Sequence, residues 1–150
     1  MNDAGPLMDR ARTEVALSGD LHAFFDAYRR AFDALDGAAV AALYALPSGI
    51  AQDGRLTLWT DRSQVIDNMR ALCALYGERG YVQAVFQCRS FLDQGPQHAV
   101  VDLQWRIDWR TQNPWHFSTA YNLIRTAEGW RVLLCTAYTE VALHRGKGEG

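Results

Sequence analysis

The stretch from Ala99 to Tyr138 reads as three long strands, and apolar and polar residues alternate at period two through the first of them. In the first, Val101, Leu103, Trp105, Ile107 and Trp109 occupy one row and Asp102, Gln104, Arg106, Asp108 and Arg110 the other. Alternate side chains of a strand point to opposite faces, so this pattern predicts strands whose two faces meet different environments. The spacing sets the strands at Ala99–Arg110, Trp115–Thr126 and Trp130–Tyr138. Short turns at Thr111–Pro114 and Glu128–Gly129 leave no room for a crossover, so neighbours pair antiparallel.

The preceding residues read as helices and shorter strands. Leu21, Phe24, Phe25, Tyr28, Phe32 and Leu35 share one helical face after an Asp20 N-cap. Asp36–Gly37 breaks that helix, and a second is expected over Ala38–Leu46, ended by Pro47. Asp53–Gly54 predicts a tight hairpin between Ile50–Ala51 and Leu56–Trp59. Asp61 and Gln64 have the spacing of a capping box for a helix over Arg62–Tyr76. A strand over Tyr81–Leu92 follows, then a turn at Asp93–Gln97. Residues 1–19 read as an arm or short helix over Leu7–Leu17, 20–142 as the folded domain, and 143–150 as a flexible tail. Helices followed by short-looped strands predict an α+β fold.

Composition excludes several functions. A net charge of −2, with scattered arginines and one lysine, gives no footprint for nucleic acid or an anionic membrane. No apolar run approaches the roughly 18 residues of a membrane span, and the first 18 residues are too polar for a secretory signal. Cys73, Cys88 and Cys135 lack motif spacing, which fits buried thiols in a reducing cytoplasm. The four histidines never fall at ligand spacing, and no phosphate loop, dinucleotide fingerprint or nucleophile elbow is present. No metal or cofactor is therefore expected.

The element order, with AYRRAFDALDGAAVAALYALP near the start and YNLIRTAEGWRVLLCTAY near the end, resembles the nuclear transport factor 2-like superfamily, particularly its SnoaL-like and ketosteroid-isomerase-like branch. The resemblance implies a cone, with three N-terminal helices packed on a curved, mostly antiparallel sheet. It also implies a pocket between helices and sheet and a homodimer through the outer sheet face. Against the ketosteroid-isomerase pattern, the oxyanion tyrosine falls on Tyr28, the general-base position on Gln52 beside Asp53, and the protonated-Asp position on Tyr121. Against limonene-epoxide-hydrolase-type members, Arg106-Ile107-Asp108 matches an Arg-x-Asp, and the second Asp falls near Thr136.

Which face lines the pocket depends on register. With the turns above, Arg106 pairs with Thr119 and Tyr121 with Thr136. Gln104, Arg106, Asp108, Thr119, Tyr121, Thr136 and Tyr138 then share the inner face, opposite Trp105, Ile107 and Trp109. A loop one residue longer or shorter swaps the first strand's faces. Expected catalytic groups are Asp108, Arg106 and Tyr28; expected ligand contacts are Tyr44, Trp59, Phe117, Tyr121, Thr136 and Tyr138. An aromatic pocket with a few hydroxyls suits a small apolar or aromatic molecule. Two functions fit: a cofactor-free acid–base enzyme (isomerase, cyclase or hydrolase) built on Arg106–Asp108, or a binding or dimerisation module without turnover. Gln52 and Thr136 at expected carboxylate positions favour the second, and the surviving Arg106–Asp108 pair slightly favours the first.

Overall fold

A computed structural model describes residues 14–138. Its elements are α1 (Gly19–Asp33), α2 (Gly37–Ala41), β1 (Tyr44–Gln52), β2 (Arg55–Trp59), α3 (Arg62–Glu78), β3 (Tyr81–Asp93), β4 (His98–Trp109), β5 (Trp115–Thr126) and β6 (Gly129–Tyr138). The strands form one sheet in the order β2-β1-β6-β5-β4-β3. Only the β1–β6 pair is parallel. The predicted α+β architecture of three helices on a mostly antiparallel sheet is the one observed. The expected tail from His144 lies outside the described residues, as does most of the expected Leu7–Leu17 helix. The part of that segment within them, 14–17, is not helical, and Val15 N–H bonds to Cys88 O at 2.8 Å.

Helix α1 presents Leu21, Phe24, Phe25 and Tyr28 to the sheet, all buried, with Phe25 fully enclosed. Each such side chain contributes about 1.5–3 kcal/mol when removed from water, so the apolar stripe rather than helix propensity holds α1 in place. Asp61 and Gln64 form the expected capping box at the start of α3. Gly37 lets α2 lie against α3, since a Cβ there would come 2.5 Å from Arg70 N.

The N-cap of α1 is Ser18, not Asp20. Asp20 instead accepts from Arg125 Nη2 at 2.7 Å, and Arg125 stacks 4.5 Å over the Trp130 ring. Hydrogen bonding to Arg125 lowers the Asp20 carboxyl to about 2. A carboxylate depressed from an unfolded value near 3.9 stabilises fully above pH ~4 and loses that contribution as pH falls toward 2. The pair is half exposed, so the effect is about 0.5 kcal/mol. In urea titrations, the midpoint difference between wild type and Asp20→Asn should therefore narrow from pH 5 to pH 2 and shrink in high salt.

The expected Ala38–Leu46 helix stops at Ala41, because the next residues join the sheet. Val132 N–H bonds to Leu43 O at 2.9 Å, and Tyr44 aligns with Val132. Long-range pairing overrides the helix propensity of an alanine-rich segment. The strand absorbs Pro47 where the β1–β6 register is interrupted, between Tyr44 and Gly49.

Both hairpin registers differ from expectation. Between β5 and β6 the turn is Ala127–Glu128, and that turn together with an irregularity between Asn122 and Leu123 places Tyr121 opposite Cys135 rather than Thr136. Between β4 and β5 the last pair is Ile107–Trp115, so the residues from Asp108 to Pro114 are unpaired with β5 although β4 continues to Trp109 against β3. Pro114 has no N–H with which to extend the ladder. Arg106 consequently pairs with His116 and Trp105 with Phe117. That odd-numbered shift turns the whole of β4 over.

Candidate functional site

A cavity of about 460 Å³ opens between the helices and the inner sheet face. Trp105 and Ile107 of β4, Phe117, Thr119 and Tyr121 of β5, and Cys135 and Ala137 of β6 form its floor. Tyr28 and Phe32 of α1, Tyr44 and Ile50 of β1, and Met69, Leu72 and Tyr76 of α3 close it from the helix side and the neighbouring strand.

A directed chain of hydrogen bonds runs through the inner wall. Trp105 Nε1 donates to Tyr121 Oη at 3.1 Å. An indole N–H only donates, so Tyr121 accepts there and spends its own hydrogen onward. Tyr121 directs its hydroxyl toward Tyr28, with ring centroids 5.5 Å apart, Tyr28 lies 2.8 Å from Tyr44 oxygen to oxygen, and Tyr44 directs its hydroxyl toward the Cys135 sulfur. The direction set by Trp105 makes Tyr44 the last hydroxyl donor. Its acceptor is a thiol sulfur, a weak one, so a better acceptor in the cavity would take that hydrogen. Such chains polarise along their length and strengthen the terminal donor.

Burial raises the phenols of Tyr28, Tyr44 and Tyr121 well above 10. It pushes the Cys135 thiol up to about 12. All four are neutral at physiological pH, which makes the tyrosines donors and Cys135 a poor nucleophile. Charge enters the lining only through Asp53, in the β1–β2 turn, and Arg79, at the end of α3, among the described residues. Asp53 has φ 54°, a left-handed conformation that Asp tolerates in tight turns.

The structure separates the residues expected to act together. Tyr28, Tyr44, Phe117 and Tyr121 border the cavity. Tyr138 borders it too, but its hydroxyl lies 2.8 Å from both Asp102 carboxylate oxygens, which face outward. Trp59 is buried edge-on against Tyr44, with ring centroids 5.9 Å apart, behind the wall rather than in it. Thr136 has turned to the outer face with the β6 register.

Arg106 and Asp108 also lie outside, on the face opposite Trp105 and Ile107. Arg106 Nε is 3.0 Å from Asp108 Oδ1, with the side chains 43% and 23% exposed. A hydrogen bond from Gln83, then one from Arg106, lowers the Asp108 carboxyl. This is an ion pair on a solvated face, and the expected hydrolase-type placement in the pocket is corrected. Reading by register missed Trp105, Ile107 and Cys135. The apolar row of β4, the face that a one-sided core must bury, was the signal for the first two. Arg79 had no signal, since its position depends on where α3 ends against the cavity.

Among the described residues, no group of three His, Cys, Asp or Glu side chains is placed to hold a metal ion. No helix there is long and apolar enough to cross a membrane.

Residues 19–140 match the family described as NTF2-like protein (DUF6841). The chain belongs to this NTF2-like family. No curated protein matches it. Solved structures share the NTF2-like fold at low identity. A Nostoc punctiforme domain of unknown function with a cystatin-like fold superposes with TM-score 0.69 at 14% identity, covering 87% of this chain and 83% of that one. An NTF2-like protein of unknown function from Shewanella oneidensis gives 0.65 at 13%, covering 79% and 95%. A ketosteroid isomerase-like protein from Erwinia carotovora gives 0.60 at 16%, covering 81% and 94%. At these identities the NTF2-like likeness is one of fold, and chemistry has to be argued from the cavity itself.

Proposed function

We propose that this NTF2-like protein binds a flat, largely apolar small molecule carrying one hydrogen-bond-accepting oxygen, and does so without turning it over. The directed chain Trp105–Tyr121–Tyr28–Tyr44 carries this reading. Aromatic rings supply the apolar contact, and Tyr44 supplies a neutral donor for the oxygen.

Acid–base turnover is the weaker reading because the ionisable groups are misplaced. Arg106 and Asp108 face the other side of the sheet. Asp53 borders the cavity but lies at the opposite end of β1 from Tyr44. Tyr44 pairs with Val132 and Gln52 with Ala137, five residues further along β6, so at about 3.3 Å per residue the two ends of β1 are roughly 17 Å apart, too far for the Asp53 carboxylate to move a proton beside an oxygen held by Tyr44.

The test compares 2-acetylnaphthalene with 2-ethylnaphthalene, similar in shape but lacking the oxygen, by NMR titration. The ketone should bind about 5–10-fold tighter, the worth of roughly one net hydrogen bond, and Tyr44→Phe should erase the difference. Binding of neither probe, or a preference that survives Tyr44→Phe, overturns the proposal.

A further inference from the structure

We infer that Arg79 selects ligands bearing a carboxylate at the end beside the C-terminus of α3, so the preferred occupant is an aromatic acid with its acceptor oxygen at the tyrosines. This rests on the binding reading above and adds a ligand class to it.

Three observations support the inference. Arg79 is the one cation in the cavity lining among the described residues. Arg29, Arg30, Arg62, Arg89, Arg106, Arg125 and Arg131 each engage a carboxylate, an amide or a backbone carbonyl; Arg55, Arg70 and Arg110 make no such contact to a described residue but lie outside this lining. The Arg79 side chain has no hydrogen bond or ion pair to any described residue, and Asp53 across the lining lies beyond ion-pair distance. Its backbone, in contrast, is tied down, with the N–H bonded to Leu75 O and Tyr76 O. The guanidinium is thus anchored at its root and uncommitted at its tip.

Its charge is felt inside. Burial dominates the Tyr76 phenol, raising it to about 12, and Arg79 acts on it in the opposite sense, favouring the anion. Negative charge beside Tyr76 is therefore stabilised by the same guanidinium. Helix C-terminal placement complements the dipole without consuming the fork of N–H donors that matches a carboxylate.

The dimensions agree. From Tyr28, whose hydroxyl lies 2.8 Å from that of the donor Tyr44, one ring step of 5.4 Å leads to Phe32 and another of 6.2 Å to Tyr76. A two-ring molecule spans that distance, placing its oxygen at the tyrosines and its carboxylate by Arg79.

The experiment measures the affinity ratio of 6-acetyl-2-naphthoate to 2-acetylnaphthalene in wild type, Arg79→Gln and Arg79→Lys. The acid should bind about tenfold tighter in wild type, as a charge-assisted contact implies. The ratio should fall to about one in Arg79→Gln, keep about threefold in Arg79→Lys, and decline with salt. Equal affinity in wild type, or a preference kept in Arg79→Gln, overturns this inference while leaving the binding reading intact. Failure of 2-acetylnaphthalene to bind at all overturns the reading beneath it.

Discussion

Phe25→Ala should lower the unfolding free energy by about 3–5 kcal/mol, the usual cost of emptying a fully buried phenylalanine site. Phe25 is completely enclosed, and its ring lies 4.9 Å from Tyr121, 5.0 Å from Phe24 and 6.2 Å from Phe86. It sits under Tyr121, so its removal also loosens the second member of the hydroxyl chain. Urea titration gives the loss as a lower midpoint at unchanged slope. A cost under 1 kcal/mol would mean that α1 collapses into the gap and that the core is not organised around this ring.

Tyr28→Phe should be costly despite removing one oxygen. Tyr28 lies in the middle of the chain, accepting from Tyr121 and donating to Tyr44. Its loss leaves the Tyr121 hydrogen without an acceptor and Tyr44 without its donor, in two residues that are buried. Each buried orphan costs about 1–3 kcal/mol, so the variant should lose about 2–4 kcal/mol. Tyr44→Phe removes only the last link and should cost less. Measuring both by denaturant titration tests the direction of the chain, since equal losses would mean that Trp105 does not set it.

The NTF2-like fold was legible because its signals are local and redundant. The Asp61–Gln64 box starts α3, the Leu21–Tyr28 stripe marks the buried face of α1, and the alternation of β4 marks a strand with one buried face. Each depends on residues a few positions apart. The site was less legible because it depends on register, which two loops transmit. An odd shift at the β4–β5 connection and an irregularity between Asn122 and Leu123 moved Arg106, Asp108 and Thr136 out and brought Trp105, Ile107 and Cys135 in. The β4 pattern itself argued for the observed face, because charged residues opposite an apolar row do not belong against helices. Assumed loop lengths outweighed it.

The amino-acid sequence by itself determined the element types, the antiparallel hairpins and the aromatic character of the core, through periodicity and capping that need no distant partner. Only the tertiary structure decided where α2 gives way to β1, which face of β4 meets the helices, and that Trp105, Tyr121, Tyr28 and Tyr44 meet in line. Those outcomes require pairing between residues far apart in the chain, and a single residue's change in a loop inverts every side chain beyond it.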